Sequence, residues 1–143
     1  MKLFLLSILS VILLSASDNS QALKIQILEK ILTEVSIDKE IKIWSDNQNI
    51  LDGFKNSSKF KTVDECIDAN IVILDKQMTL SDDCKKKYIF VLRYNLLNDI
   101  KESFGALFWK KGRPNIVILQ PRIKAQSIKV TKALDPYLEE RVW

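Results

Sequence analysis

The sequence predicts an α/β domain: a single small sandwich with a mixed sheet of about five strands, flanked by helices and carrying a C-terminal β-hairpin. Three observations predict it. Strand-like runs alternate with helix-like segments, the order expected of α/β architecture. Two of the runs, NIVILDK (70–76) and YIFVLRY (88–94), are continuously apolar, as strands covered on both faces are. Near the end, GALFWKK (105–111) and PNIVILQP (114–121) flank a tight basic turn with a glycine, a hairpin pattern that adds an antiparallel element.

The first segment has no place in that sheet. Lys2 is followed by an apolar run from Leu3 to Leu14 and then by small residues. About a dozen apolar residues fall short of the roughly 20 that span a hydrocarbon core, and the pattern is that of a secretory signal peptide. Residues 1–22 are assigned to it, with cleavage after Ser17 or Ala22, which leaves 23–143 as one domain. The expected location is therefore periplasmic, with no transmembrane segment in the mature chain.

Leu23, Ile27, Leu28, Ile31, Leu32 and Val35 then fall on one face of a helix, with Glu29, Lys30 and Glu34 on the other. IKIW (41–44) reads as the first strand. Ser45 and Asp46 can cap the helix NQNILDGF, which Gly53 is expected to end or bend. KFKTV (59–63) reads as a short strand, and DECIDA as a brief helix before the first buried run. MTLSDDCKKK reads as a polar surface connection holding Cys84, and NLLNDIKES as a short helix capped by Asn95. After the hairpin, PYLEERVW reads as a terminal helix opening at Pro136.

Composition narrows the chemistry. The chain has 22 basic and 18 acidic residues, a net charge of +4 spread along its length, which is not the clustered charge of a nucleic-acid binder. There is no histidine, so the commonest general base and metal ligand are missing. Three glycines, Gly53, Gly105 and Gly112, are too scattered for a phosphate-binding loop, and no G-x-S-x-G elbow occurs. Adjacent carboxylates at Asp64-Glu65, Asp82-Asp83 and Glu139-Glu140 sit where solvated or capping residues are common. No catalytic residue, metal or cofactor is assigned, and the expectation is a non-enzyme.

Cys66 and Cys84 are the two cysteines, and an even pair in an oxidising compartment predicts a disulfide contributing about 3 kcal/mol by the chain-entropy model. The rival reading, a redox or metal pair, lacks C-x-x-C spacing and histidine partners.

The basic knot Lys110-Lys111-Gly112-Arg113-Pro114 has two readings. Hairpin tips favour glycine and polar residues, and exposed lysines discourage strand addition. Yet three cations beside Phe108 and Trp109 have a composition enriched at protein interfaces. Strand alternation puts Phe108 and Lys110 on one face and Trp109 and Lys111 on the other. The candidate partner-binding set is Trp109, Lys110, Lys111 and Arg113, with Trp143 secondary. A second set belongs to a different reading, a small-molecule-binding periplasmic protein related to solute-binding domains. Asp46 and Asn47, with Arg93 and Tyr94, follow strands and so would lie at strand carboxyl ends, where α/β proteins bind ligands.

The order of elements resembles a known family. A leader and an amphipathic helix precede a strand ending in WSDN, a cysteine before an apolar strand in CIDANIVILDK, the buried run YIFVLRY, and a basic-tipped hairpin with an NIVI return. This succession resembles the YfiR-like periplasmic proteins over nearly the whole mature chain. Cys66 falls where that family often has a cysteine. Gly105 stands alone near the family's glycine pair, and SIDKEIKIW replaces its usual Trp-Pro. The resemblance implies a disulfide-stabilised α/β domain, often self-associating, that acts without catalysis. Its implied partner is the periplasmic part of a membrane cyclase or sensor kinase, with a homodimer as a further possibility.

Overall fold

The computed structural model describes residues 20–35, 37 and 40–143. Residues 1–19 of the predicted signal peptide, including the cleavage point after Ser17, lie outside the described residues. The alternative point after Ala22 falls within helix α1, described over 20–33. Among the described residues no helix is long and apolar enough to cross a membrane.

After α1 come β1 (Ile41–Ser45), α2 (Gln48–Phe54), β2 (Phe60–Thr62), a 3-10 turn (Cys66–Asp68), β3 (Ile71–Leu74), α3 (Asp82–Lys85) and β4 (Tyr88–Val91). The chain continues through α4 (Leu96–Asp99), β5 (Ser103–Lys110), β6 (Arg113–Leu119), α5 (Gln120–Ala125), a 3-10 helix (Lys132–Tyr137) and β7 (Leu138–Glu139). One mixed sheet forms in the order β2-β1-β3-β4-β5-β6-β7. Its first five members are parallel, β6 is antiparallel to β5, and β7 is parallel to β6. The α/β class, the mixed sheet and the hairpin agree with expectation. The sheet holds seven strands rather than about five: the short strand expected at 59–63 forms one edge as β2, and a two-residue β7 extends the other.

Side-chain alternation sends successive strand residues into two separate cores. Ile43, Ile71, Ile73, Phe90 and Ile118 pack under α1, α2 and α5, against Leu28, Leu32, Ile50, Phe54 and Ile123. Val72, Leu74, Ile89, Val91 and Ala106 pack under α3 and α4, against Cys84, Leu96 and Leu97. Every residue of β3 is buried, so its continuous apolar run is a direct consequence of being covered on both faces.

Local differences from expectation have packing causes. In α1 the buried positions include Ile25, while Leu23 is exposed. Gly53 lies inside α2, because a Cβ there would overlap Ile25. Asn47, rather than Ser45 or Asp46, caps α2 by accepting from the Asn49 N–H at 2.9 Å. The Cys84 segment is no mere surface connection: Ser81 caps α3, and Cys84 is buried. The terminal helix does not form. Pro136 sits inside a 3-10 helix, and Leu138 gains a ladder partner, Ile118, and an apolar contact with the α1-side core. Asn95 precedes α4 but makes no side-chain cap bond.

Two polar devices tie the connections down. The predicted disulfide joins Cys66 to Cys84 with their Cα atoms 5.9 Å apart, clamping the connections on either side of β3. Arg122 reaches from α5 to the carbonyls of Leu97 and Ser103, at 2.8 and 3.0 Å. It thereby satisfies carbonyls left open where α4 ends and β5 begins. Burial holds the Arg122 guanidinium below its ordinary value, with Glu102 acting in the opposite direction.

β5 carries a β-bulge. Ile89 pairs with Ser103, but Phe90 pairs with Gly105, so Phe104 is the extra residue. Phe104 and Leu107 both reach the α1-side core, and Phe104 lies against Phe90 with ring centroids 5.5 Å apart. A Cβ at Gly105 would stand 2.6 Å from the Val117 carbonyl oxygen and 3.1 Å from the Phe90 ring. Gly105→Ala is expected to destabilise the domain by about 1–3 kcal/mol, since the backbone carbonyl cannot give way as a side chain could; urea unfolding measures it. The double replacement Cys66→Ser with Cys84→Ser is expected to cost about 3 kcal/mol through a closed loop with a sequence separation of 18. The same urea midpoint, with and without reductant, checks that value.

Candidate functional site

Because β1, β3, β4 and β5 are parallel, their carboxyl ends share one edge of the sheet. Every residue of both predicted sets except Trp143 follows or ends one of these strands, belongs to the β5–β6 turn or, like Arg113, opens β6. The structure divides them into two clusters that do not coincide with the two predicted sets.

The first cluster lies between β1 and β3, where the strand order reverses and where doubly wound sheets place their ligands. Asp46 accepts from the backbone N–H groups of Asp75 and Lys76 at 2.8 and 2.9 Å. Asn47 donates to Asp75 Oδ2 at 3.0 Å, and Arg93 Nε donates to Asp75 Oδ1 at 3.3 Å. The buried Ser45 hydroxyl accepts from the Asn47 N–H at 3.1 Å. These groups are engaged with each other and with the backbone: Asp46 tethers the chain leaving β3, and Asn47 caps α2. Asp75 is the hub, and it was missed. The signal that singled out Asp46, a carboxylate just after a strand, applies equally to Asp75. Among the described residues no group of three or more acidic or cysteine side chains could hold a metal ion.

Tyr94, placed in the same predicted set, belongs elsewhere. Its hydroxyl accepts from the Trp143 N–H at 2.7 Å and donates to the Trp143 carbonyl at 3.0 Å. Its ring lies 5.0 Å from that of Phe108. Val142 packs on the α4-side core, which carries the end of the chain back across that face to Tyr94. An open groove of about 560 Å³ results, lined by Tyr94, Phe108, Trp109, Lys110, Asn115 and Trp143. Trp143 is 75% exposed, and the Arg141 guanidinium lies 4.0 Å from its ring centre.

The hairpin sets the other wall. β5 pairs with β4 only as far as Ala106, so Leu107–Lys110 extends beyond the sheet on β6 alone. Phe108 opposes Asn115 and Lys110 opposes Arg113, which puts these four on one face. Trp109 points the other way, 38% exposed, with the Lys24 ammonium 5.6 Å from its ring centre. The predicted partner set is thus not on a single face: Trp109 touches the groove but lies on the opposite face of β5 from Lys110, while Phe108 and Asn115, missing from that set, line the groove. Alternation had already paired Phe108 with Lys110, and the half-burial of Phe108 beside Tyr94 decides which aromatic faces the groove.

The turn is two residues, Lys111 and Gly112, with φ of 52° and 75°. Both are left-handed, as a type I′ hairpin turn requires. A second hollow of about 400 Å³, lined by Lys110, Lys111, Arg113 and Asn115, adjoins the groove through Lys110 and Asn115. Among the described residues the ion pairs are Lys55–Asp52 and Arg93–Asp75, so the three cations of the knot have no acidic partner there. Lys111→Asn is expected to stabilise the hairpin by about 0.5–1 kcal/mol, because asparagine tolerates the left-handed region better than lysine. A urea midpoint raised in Lys111→Asn but not in Lys111→Gln, which loses the same charge, would separate the turn's conformational demand from its charge.

No protein-family model matches the chain, and a search of curated proteins finds no match.

Proposed function

We propose that this chain is an exported, periplasmic, non-enzymatic regulatory domain. It works by contact with the periplasmic part of a membrane signalling protein, a cyclase or a sensor kinase, as its resemblance to YfiR-like proteins implies. The observation that carries the reading is the basic knot. Lys110, Lys111 and Arg113 are held beyond the sheet by a two-residue turn, without acidic partners among the described residues, beside an exposed tryptophan. A cationic tip next to aromatic surface is suited to an acidic protein face, because the turn already fixes the backbone that presents the charges and less backbone ordering remains to be done on binding. The disulfide and the absence of a membrane-crossing helix among the described residues are compatible with an exported domain.

The polar network between β1 and β3 supports contact over small-molecule binding there, since its carboxylates already serve the fold. The test is cross-linking and capture in the periplasm of the native cells, with mass spectrometry of the captured proteins. The wild-type chain is expected to capture a membrane cyclase or kinase. Lys110→Glu with Arg113→Glu should lower capture by about tenfold, the equivalent of roughly 1.4 kcal/mol, with an unchanged circular dichroism spectrum. Equal capture by the double variant would reduce the knot to a hairpin tip. Capture of no signalling protein would overturn the regulatory reading.

A further inference from the structure

The groove and the basic hollow share Lys110 and Asn115, so an aromatic compartment opens directly onto a cationic one. The first is walled by the Tyr94–Phe108 pair and by Trp143. The second presents Lys110, Lys111 and Arg113 without acidic partners among the described residues. We infer that the two together form a bipartite peptide site, taking an apolar or aromatic anchor side chain of a partner protein in the groove and acidic residues adjoining that anchor over the knot.

Three features favour an extended acidic segment. The groove is open rather than enclosed, which suits a side chain laid in from a passing chain. Its aromatic walls supply apolar area with few side-chain torsions to freeze. The charged residues that line the groove and the hollow, Lys110, Lys111 and Arg113, are all cationic, and that field selects acidic neighbours for the anchor.

Tyr94 is the positioning residue of this site. Its hydroxyl makes both hydrogen bonds that hold the Trp143 backbone at the groove's edge. Removing that one oxygen frees the Trp143 wall while leaving the ring against Phe108. The groove therefore depends on a contact that the basic knot does not make.

The inference rests on the contact reading, and its test can fail independently. The mature protein is immobilised and panned against a random peptide library, and selected peptides are synthesised with a fluorescent label for anisotropy titration. Selected sequences are expected to carry an aromatic or large apolar residue next to aspartate or glutamate. Affinity should fall about tenfold or more when either the anchor or its acidic neighbours are replaced by serine. Tyr94→Phe should weaken binding about fivefold with unchanged thermal stability, and Lys110→Glu with Arg113→Glu about tenfold. Lys85→Glu with Lys86→Glu, the same charge change on and just after α3, should leave binding as it was.

An empty selection, selected peptides without acidic residues, or full affinity in Tyr94→Phe would each overturn the site. So would displacement of the peptide by micromolar indole, which carries no acidic group and would mark the groove as a small-molecule pocket. Should any of these occur while a membrane partner is still captured, the groove is wrong and the contact reading stands. A selective peptide site without such capture would uphold the groove and remove the regulatory partner.

Discussion

At Ser103–Gly105, β5 holds one residue more than its parallel neighbour can pair, and the carboxyl edge of the sheet depends on that bulge. Side chains alternate along a strand with a period of two, so one inserted residue exchanges the faces of everything beyond it. With the bulge, Phe108 and Lys110 lie on the Tyr94 side and Trp109 lies under Lys24. Without it, Trp109 would meet Tyr94, and Phe108 would turn toward α1. Gly105 makes the bulge possible, because the backbone of β6 and the ring of Phe90 pass within reach of any Cβ.

The rest of the architecture holds that edge still. Parallel strands need cover on both faces, and the two cores supply it from helices on opposite sides. On the α4 side the covering elements are short: α3 and α4 are four residues each, too short to be stable by themselves. The disulfide fixes the start of that layer to the connection before β3, and Arg122 fixes its end to the start of β5. Tyr94 stands just before α4, so the position of its hydroxyl is inherited from these two clamps.

Two regions of one edge have come to differ in kind. Between β1 and β3 the polar groups are satisfied by one another, so further binding there would have to displace existing hydrogen bonds. Around the hairpin the cations have no acidic partners among the described residues, and Trp109 and Trp143 keep exposed ring surface. Surface left unsatisfied by the fold is the surface available to a second molecule, which is why the functional reading lies with the hairpin.

Much of this was legible in the sequence, because it depends on interactions between near neighbours. The all-buried β3, the hairpin with its left-handed glycine, the α2 segment and the Cys66–Cys84 pairing follow from periodicity, turn chemistry and cysteine count. Asp46, Asn47, Arg93 and Tyr94 were also placed at strand carboxyl ends, since parallel order and strand position imply it. Their grouping was not legible. Asp75 joining Asp46 to Arg93, Tyr94 holding Trp143 across a separation of 49 residues, and β7 forming where a helix was expected all rest on contacts between distant segments. A single inserted residue in β5 then decided which aromatic side chain faced the groove, and no local pattern in GALFWKK records it. Local propensity determined the pieces of this protein. Long-range pairing and burial decided which of their side chains meet, because the partners that satisfy a hydroxyl or cover a ring are brought close only when the sheet closes.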